Sequence, residues 1–96
     1  MSTGVQVLGA SRDPGTGQVY FPPRRFAADG SGRACDPVEV AGAGELRGWT
    51  ALGGEQFGLI DLDGGLRLQV RLAGSDHEYG ARYVVVDTEE VRFARA

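Results

Sequence analysis

Strict alternation of apolar and polar residues marks a half-buried strand, and it is cleanest between Leu66 and Leu72. Leu66, Leu68, Val70 and Leu72 take one face there, and Arg67, Gln69 and Arg71 the other. Just before it, Phe57–Leu62 is apolar on both parities except at Asp61, as expected of a strand covered on both sides. Asp63-Gly64-Gly65 between the two is a tight hairpin signal. Glu45–Leu52 predicts a further strand, with Leu46, Gly48 and Thr50 on one face and Arg47, Trp49 and Ala51 on the other. Gly48 inside it points to a bulge or sharp bend, as small barrels need at their corners. Arg82–Asp87, with its valine run, and Val91–Phe93 add two more strands, joined to the rest by the polar connection Gly74–Gly80.

The first third of the chain is less regular. Val5, Val7 and Leu8 can form a short strand or lie across a partner, and Arg12-Asp13-Pro14-Gly15 is a turn signal. Val19-Tyr20-Phe21 is a β-prone run stopped by Pro22-Pro23, because proline has no amide hydrogen for a central ladder. Ala27–Gly32 reads as a loop and Cys35-Asp36-Pro37 as a turn, followed by the brief alternating strand Val38-Glu39-Val40. No amphipathic helix of ordinary length is visible. About five short strands with glycine corners predict an all-β fold. The expectation is a five-stranded OB-like barrel over 37–96 as one compact unit, preceded by a metal-free ribbon or loop segment over 1–36. An SH3-like barrel or a small open sandwich fits the pattern nearly as well.

Composition narrows the function classes. The chain has 96 residues and a formal charge of −3, and all its basic residues are arginine. A domain of this size buries roughly 60–65% of its unfolded surface, so a partner interface would add usefully to a modest core. The net negative charge argues against a general nucleic-acid binder, whose affinity comes largely from neutralising phosphates. One cysteine, Cys35, excludes an internal disulfide, and one cysteine with one histidine cannot complete a tetrahedral zinc site. The N-terminus shows no basic segment followed by an apolar run, so no signal peptide is expected. No stretch approaches the ~20 apolar residues of a membrane helix, and a cytoplasmic protein is the default.

Candidate chemistry is sparse. His77 lies in a polar loop beside Asp76 and Glu78 and is expected to be exposed, and nothing in the spacing sets it against Cys35 as a nucleophilic pair. Asp61 and Asp63 read as the solvated mouth of a hairpin rather than a working carboxylate pair, and the ligand spacing of a calcium loop is missing. Gly15-Thr16-Gly17 and Gly30-Ser31-Gly32 lack the following helix and the Lys-Ser/Thr of a phosphate loop. Two features remain. Arg24, Arg25 and Arg33 form a locally basic cluster suited to phosphate or carboxylate, with pairing to local acids as the plainer reading. Tyr20, Phe21, Phe26 and Trp49 are either a small second core or interface anchors. No catalytic residue is expected.

The order of these features resembles the acyl-CoA-associated OB-fold proteins (domain of unknown function thirty-five), in which a rubredoxin-like zinc ribbon precedes an OB barrel. Gly17, Phe21-Pro22-Pro23-Arg24, Gly42-Ala43-Gly44 through Trp49-Thr50, Phe57–Gly65 and Gly80–Val86 fall in the order of that family's motifs, over roughly residues 8–95. The resemblance departs at the metal. Asp13 and Thr16 stand at the first pair of ligand cysteines, the second pair falls near Ala27 and Gly30, and Cys35 matches neither. The resemblance therefore implies a degenerate ribbon without structural zinc, held together by the aromatics, the two prolines and a partner surface. It also implies a non-catalytic accessory or bridging subunit of a thiolase-like or ketosynthase-like condensing enzyme, an aldolase or a hydratase. Phe21, Pro22, Pro23, Arg24, Arg25 and Trp49 would then dock on the partner or approach its CoA, with no cofactor of the chain's own. A single-stranded nucleic-acid module is the alternative that an OB barrel keeps open.

Overall fold

The computed structural model describes residues 6–96, and Val5 lies outside them. The described residues contain eight strands and no helix, hence none long and apolar enough to cross a membrane. Contacts divide the described residues into two units: Leu8–Val40, and Ala41–Ala96 with Gln6 and Val7.

In the N-terminal unit, β1 (Val7–Arg12), β2 (Val19–Tyr20) and β3 (Asp36–Ala41) form a sheet in the order β2-β1-β3. Ser11 lies opposite Tyr20 and Arg12 opposite Val19. Leu8, Ala10, Ser11, Asp13 and Ala27 are the buried residues of this unit, a core too small and too polar to rest on hydrophobic burial alone. Asp36 and Pro37 belong to β3 and not to the turn expected there. The proline is tolerated because β3 is an edge strand, where one side of the backbone has no ladder to make.

The second unit is a closed barrel of β4 (Ala43–Leu52), β5 (Glu55–Leu62), β6 (Arg67–Leu72), β7 (Arg82–Asp87) and β8 (Arg92–Arg95), in the order β4-β5-β6-β8-β7. Only β6 and β8 run parallel, with Leu72 opposite Phe93, and β7 closes the ring onto β4 with Tyr83 opposite Gly44. This is the OB-like barrel that the alternation predicts. Leu46, Ile60, Leu62, Leu68, Val70, Leu72, Tyr83, Val85 and Phe93 fill its interior.

Two details of β4 position everything outside the core. The first is its entry. A Cβ on Gly44 would fall within 2.8 Å of the Leu62 Cα and against the Asp61 backbone, so the strands can meet only with glycine there. The second is a bulge: Leu46 lies opposite Ile60 but Gly48 opposite Leu59, leaving Arg47 as the extra residue. The sequence-based face assignment of this strand is thereby corrected. Beyond Arg47 the parity inverts, so Gly48 and Thr50 share the outer face with Leu59 and Phe57, and Trp49 falls in register with buried Gly58.

The outer charges near the hairpin are structural. Asp61 accepts two bonds from Arg67 (2.5 and 3.0 Å) and lies 3.6 Å from Arg47, while Asp63 accepts two from Arg82 (2.7 and 2.6 Å). The adjacent guanidinium lowers each carboxyl below the usual range, so each holds its charge.

Candidate docking surface

The β2 run ends at Pro22-Pro23, and the following segment is held by its backbone rather than by burial. The Arg24 amide donates to Ser11 Oγ at 2.7 Å, Cys35 N donates to the Arg25 carbonyl at 2.8 Å, and Phe26 bridges to Ala34. Tyr20 is half-buried and its hydroxyl receives the Ala28 amide at 3.2 Å. The Arg24 guanidinium lies over the Tyr20 ring, 5.4 Å from its centroid, and its Nε donates to the Phe26 carbonyl at 3.2 Å. Phe21 is half-buried, while Pro22, Pro23, Arg24, Arg25 and Phe26 are exposed. A short loop thus presents two prolines, two arginines and a phenylalanine to solvent on a fixed backbone.

The pairing of the arginines distinguishes this unit. All six arginines of the barrel make ion pairs with acids: Arg47, Arg67, Arg71, Arg82, Arg92 and Arg95. Among the described residues of the N-terminal unit only Arg33 does so, with Asp13 and Asp29, as the plainer reading of the basic cluster expects. Arg12, Arg24 and Arg25 have no acidic partner among the described residues. Arg12 was not singled out by sequence reasoning, because an arginine before a turn looks like any solvated residue until the acids around it are accounted for.

Trp49 belongs to the other unit. Its indole is 37% exposed and packs on His77, with ring centroids 5.3 Å apart. His77 is not the exposed loop histidine that its polar neighbours suggest: it is half-buried, with Nδ1 2.8 Å from the Tyr83 hydroxyl and Nε2 3.2 Å from the Gly74 carbonyl. A carbonyl only accepts, so Nε2 carries the hydrogen and Nδ1 accepts the Tyr83 proton. The Tyr83 oxygen in turn receives the Glu78 amide at 3.3 Å, and burial holds its hydroxyl above the ordinary phenol range. Both ring nitrogens are engaged in hydrogen bonds within the barrel unit. Tyr83 lies 6 residues beyond His77 and on β7, whereas His77 is in the loop before it, so no local pattern announces this pairing.

Beside Trp49 the bulge opens a groove of about 360 Å³ on the outer face of β4, β5 and β6, with Thr50, Phe57, Leu59 and Gln69 along it. Arg67 and Arg71 flank Gln69 on β6, both bound to acids. Of the six residues singled out for docking, then, Phe21, Pro22, Pro23, Arg24 and Arg25 lie together in one loop of the N-terminal unit, and Trp49 lies at this groove.

No known family profile and no curated protein matches the sequence. Among solved structures, the chain is similar to one named "Ltp2-ChsH2(DUF35) aldolase", with a TM-score of 0.68 and 21% identity over 92% of this chain and 84% of that one. At this identity the likeness establishes a shared fold.

Proposed function

We propose that this protein is a non-catalytic accessory or bridging subunit of an acyl-CoA or acyl-thioester enzyme. The candidate partners are a thiolase-like or ketosynthase-like condensing enzyme, an aldolase or a hydratase. It docks on the catalytic chain and helps shape the acyl or CoA channel, with 1–36 as the degenerate ribbon segment and 37–96 as the barrel. The observation that carries this reading is the fold shared with a protein named for an aldolase assembly over nearly the whole chain. The exposed run from Pro22 to Phe26, with Arg24 and Arg25 in no ion pair among the described residues, supports it. Exposed arginines without acidic partners among the described residues suit the phosphates of CoA or carboxylates of a partner, because a guanidinium can donate two parallel bonds to such a group.

Co-expression with the thiolase-like, aldolase or hydratase chain encoded beside it is expected to yield a stable complex. Arg24→Ala combined with Trp49→Ala is expected to weaken it at least tenfold, about 1.4 kcal/mol. A partner that co-purifies with neither form would refute the proposal. The groove beside Trp49 and Phe57 favours one other reading, an OB-type single-strand binder that stacks bases on aromatics. Salt-sensitive binding of oligonucleotides would support it, although the two arginines flanking the groove are already occupied by acids.

A further inference from the structure

The N-terminal unit has too small an apolar core to stand on burial, and its organising group is a carboxylate. Asp13 is fully buried. Its Oδ1 accepts from the Gly15 amide (2.8 Å) and Arg33 Nε (2.9 Å), and its Oδ2 from Thr16 Oγ1 (3.0 Å) and Arg33 Nη2 (3.0 Å). The same Arg33 Nη2 reaches Asp29 Oδ2 at 2.7 Å, and Asp29 Oδ1 closes its own turn on the Ser31 amide. One guanidinium therefore ties the Asp13–Gly17 turn to the Asp29–Arg33 turn, from positions 20 residues apart.

A zinc ribbon joins two such turns through a metal, with four ligands arranged tetrahedrally. The residues here do not fit one. Thr16, Ala27 and Gly30 offer a single hydroxyl among them, and no group of three His, Cys, Asp or Glu among the described residues could hold a metal. The four bonds to Asp13 also fill the lone-pair sites a carboxylate offers, so it has none left for a cation.

We propose that the bidentate Asp13–Arg33 pair, extended to Asp29, is the clasp that joins the two turns and does the work a metal does in a ribbon of this kind. The pair suits the task because two parallel charge-assisted bonds fix orientation as well as distance. Arg33 thereby has a positioning role: it sets the frame from which the Arg24–Phe26 loop is displayed. The proposal stands on this geometry and not on the identity of any partner.

The test uses the full chain alone, by amide hydrogen exchange and metal analysis. The amides of Gly17, Ala27 and Cys35, each bonded across or beside the two turns, are expected to exchange at least about tenfold faster in Arg33→Gln, while those of Ile60 and Val85 in the barrel change less than about twofold. Arg33→Lys keeps the charge without the fork and is expected to fall between, and it carries the same readout should Arg33→Gln prove insoluble. Unchanged exchange in either variant would overturn the clasp. So would zinc bound at one equivalent with its removal by chelator loosening these amides. Failure to capture an enzyme partner would leave this result untouched, so the two proposals fail separately.

Discussion

Tyr83→Phe isolates one hydroxyl in the barrel. The ring is fully buried opposite Gly44, and phenylalanine keeps its volume and packing. What disappears is the proton given to His77 Nδ1 at 2.8 Å and the acceptor for the Glu78 amide at 3.3 Å. The first is a well-made bond whose loss strands a half-buried ring nitrogen. The second is longer, and Glu78 is exposed enough for water to take over part of it. A typical net hydrogen bond contributes about 0.5–1.5 kcal/mol and an orphaned buried group costs about 1–3, so a loss of about 1–2 kcal/mol is expected. For a domain of this size that lowers the melting temperature by roughly 4–16 °C. Trp49 is the only tryptophan and lies on His77, so guanidinium unfolding followed by its fluorescence reads both the stability and the loosening of the ring. His77→Ala should cost a similar amount or more, and the double variant little beyond His77→Ala alone, because both changes break the same bond. The cycle should give a coupling of about 0.5–3 kcal/mol. Additive single effects, or a Tyr83→Phe change within about 0.3 kcal/mol of zero, would refute the network.

Two further outcomes follow from the same structure. The Arg33 guanidinium, foremost by its hydrogen bonds, holds the Asp13 carboxyl far below its ordinary 3.8. A depressed folded-state value means the stabilisation is complete above the unfolded value and is lost as pH falls from about 4 toward the folded one. Asp13→Asn should therefore flatten the fall in stability of the N-terminal unit on acidification below pH 4, measured by amide exchange or NMR, and an unchanged acid profile would count against the pair. At the barrel entry, Gly44→Ala forces a methyl against the Asp61–Leu62 backbone, and overpacking of this kind costs about 1–3 kcal/mol. Denaturant unfolding that shows no loss would contradict the close approach of β4 and β5.

The barrel strands were legible because their information is local. Leu66–Leu72 alternates with a period of two and Asp63-Gly64-Gly65 carries its own turn chemistry, so β6 and its hairpin need no knowledge of the rest. The same local reasoning located an irregularity at Gly48 but not its consequence. Whether a bulge inverts the outer face depends on which residue of the neighbouring strand lies opposite, and the Gly48–Leu59 register is a property of the sheet. The residues proposed for docking divide in the same way. A proline-stopped aromatic run with two arginines can be read in sequence, but that Arg33 pairs with acids while Arg12, Arg24 and Arg25 pair with none among the described residues appears only in the folded chain.

What the sequence determined by itself was therefore the periodic part: an all-β chain, its barrel strands and their hairpin. Tertiary structure alone decided which charges cancel, which side of β4 faces out, and what secures the N-terminal unit. The physical reason is range. Side-chain alternation is set by neighbours along one strand, whereas Asp13 with Arg33, and His77 with Tyr83 and Trp49, meet only after the chain has folded and brought distant segments within hydrogen-bond or ring-contact distance.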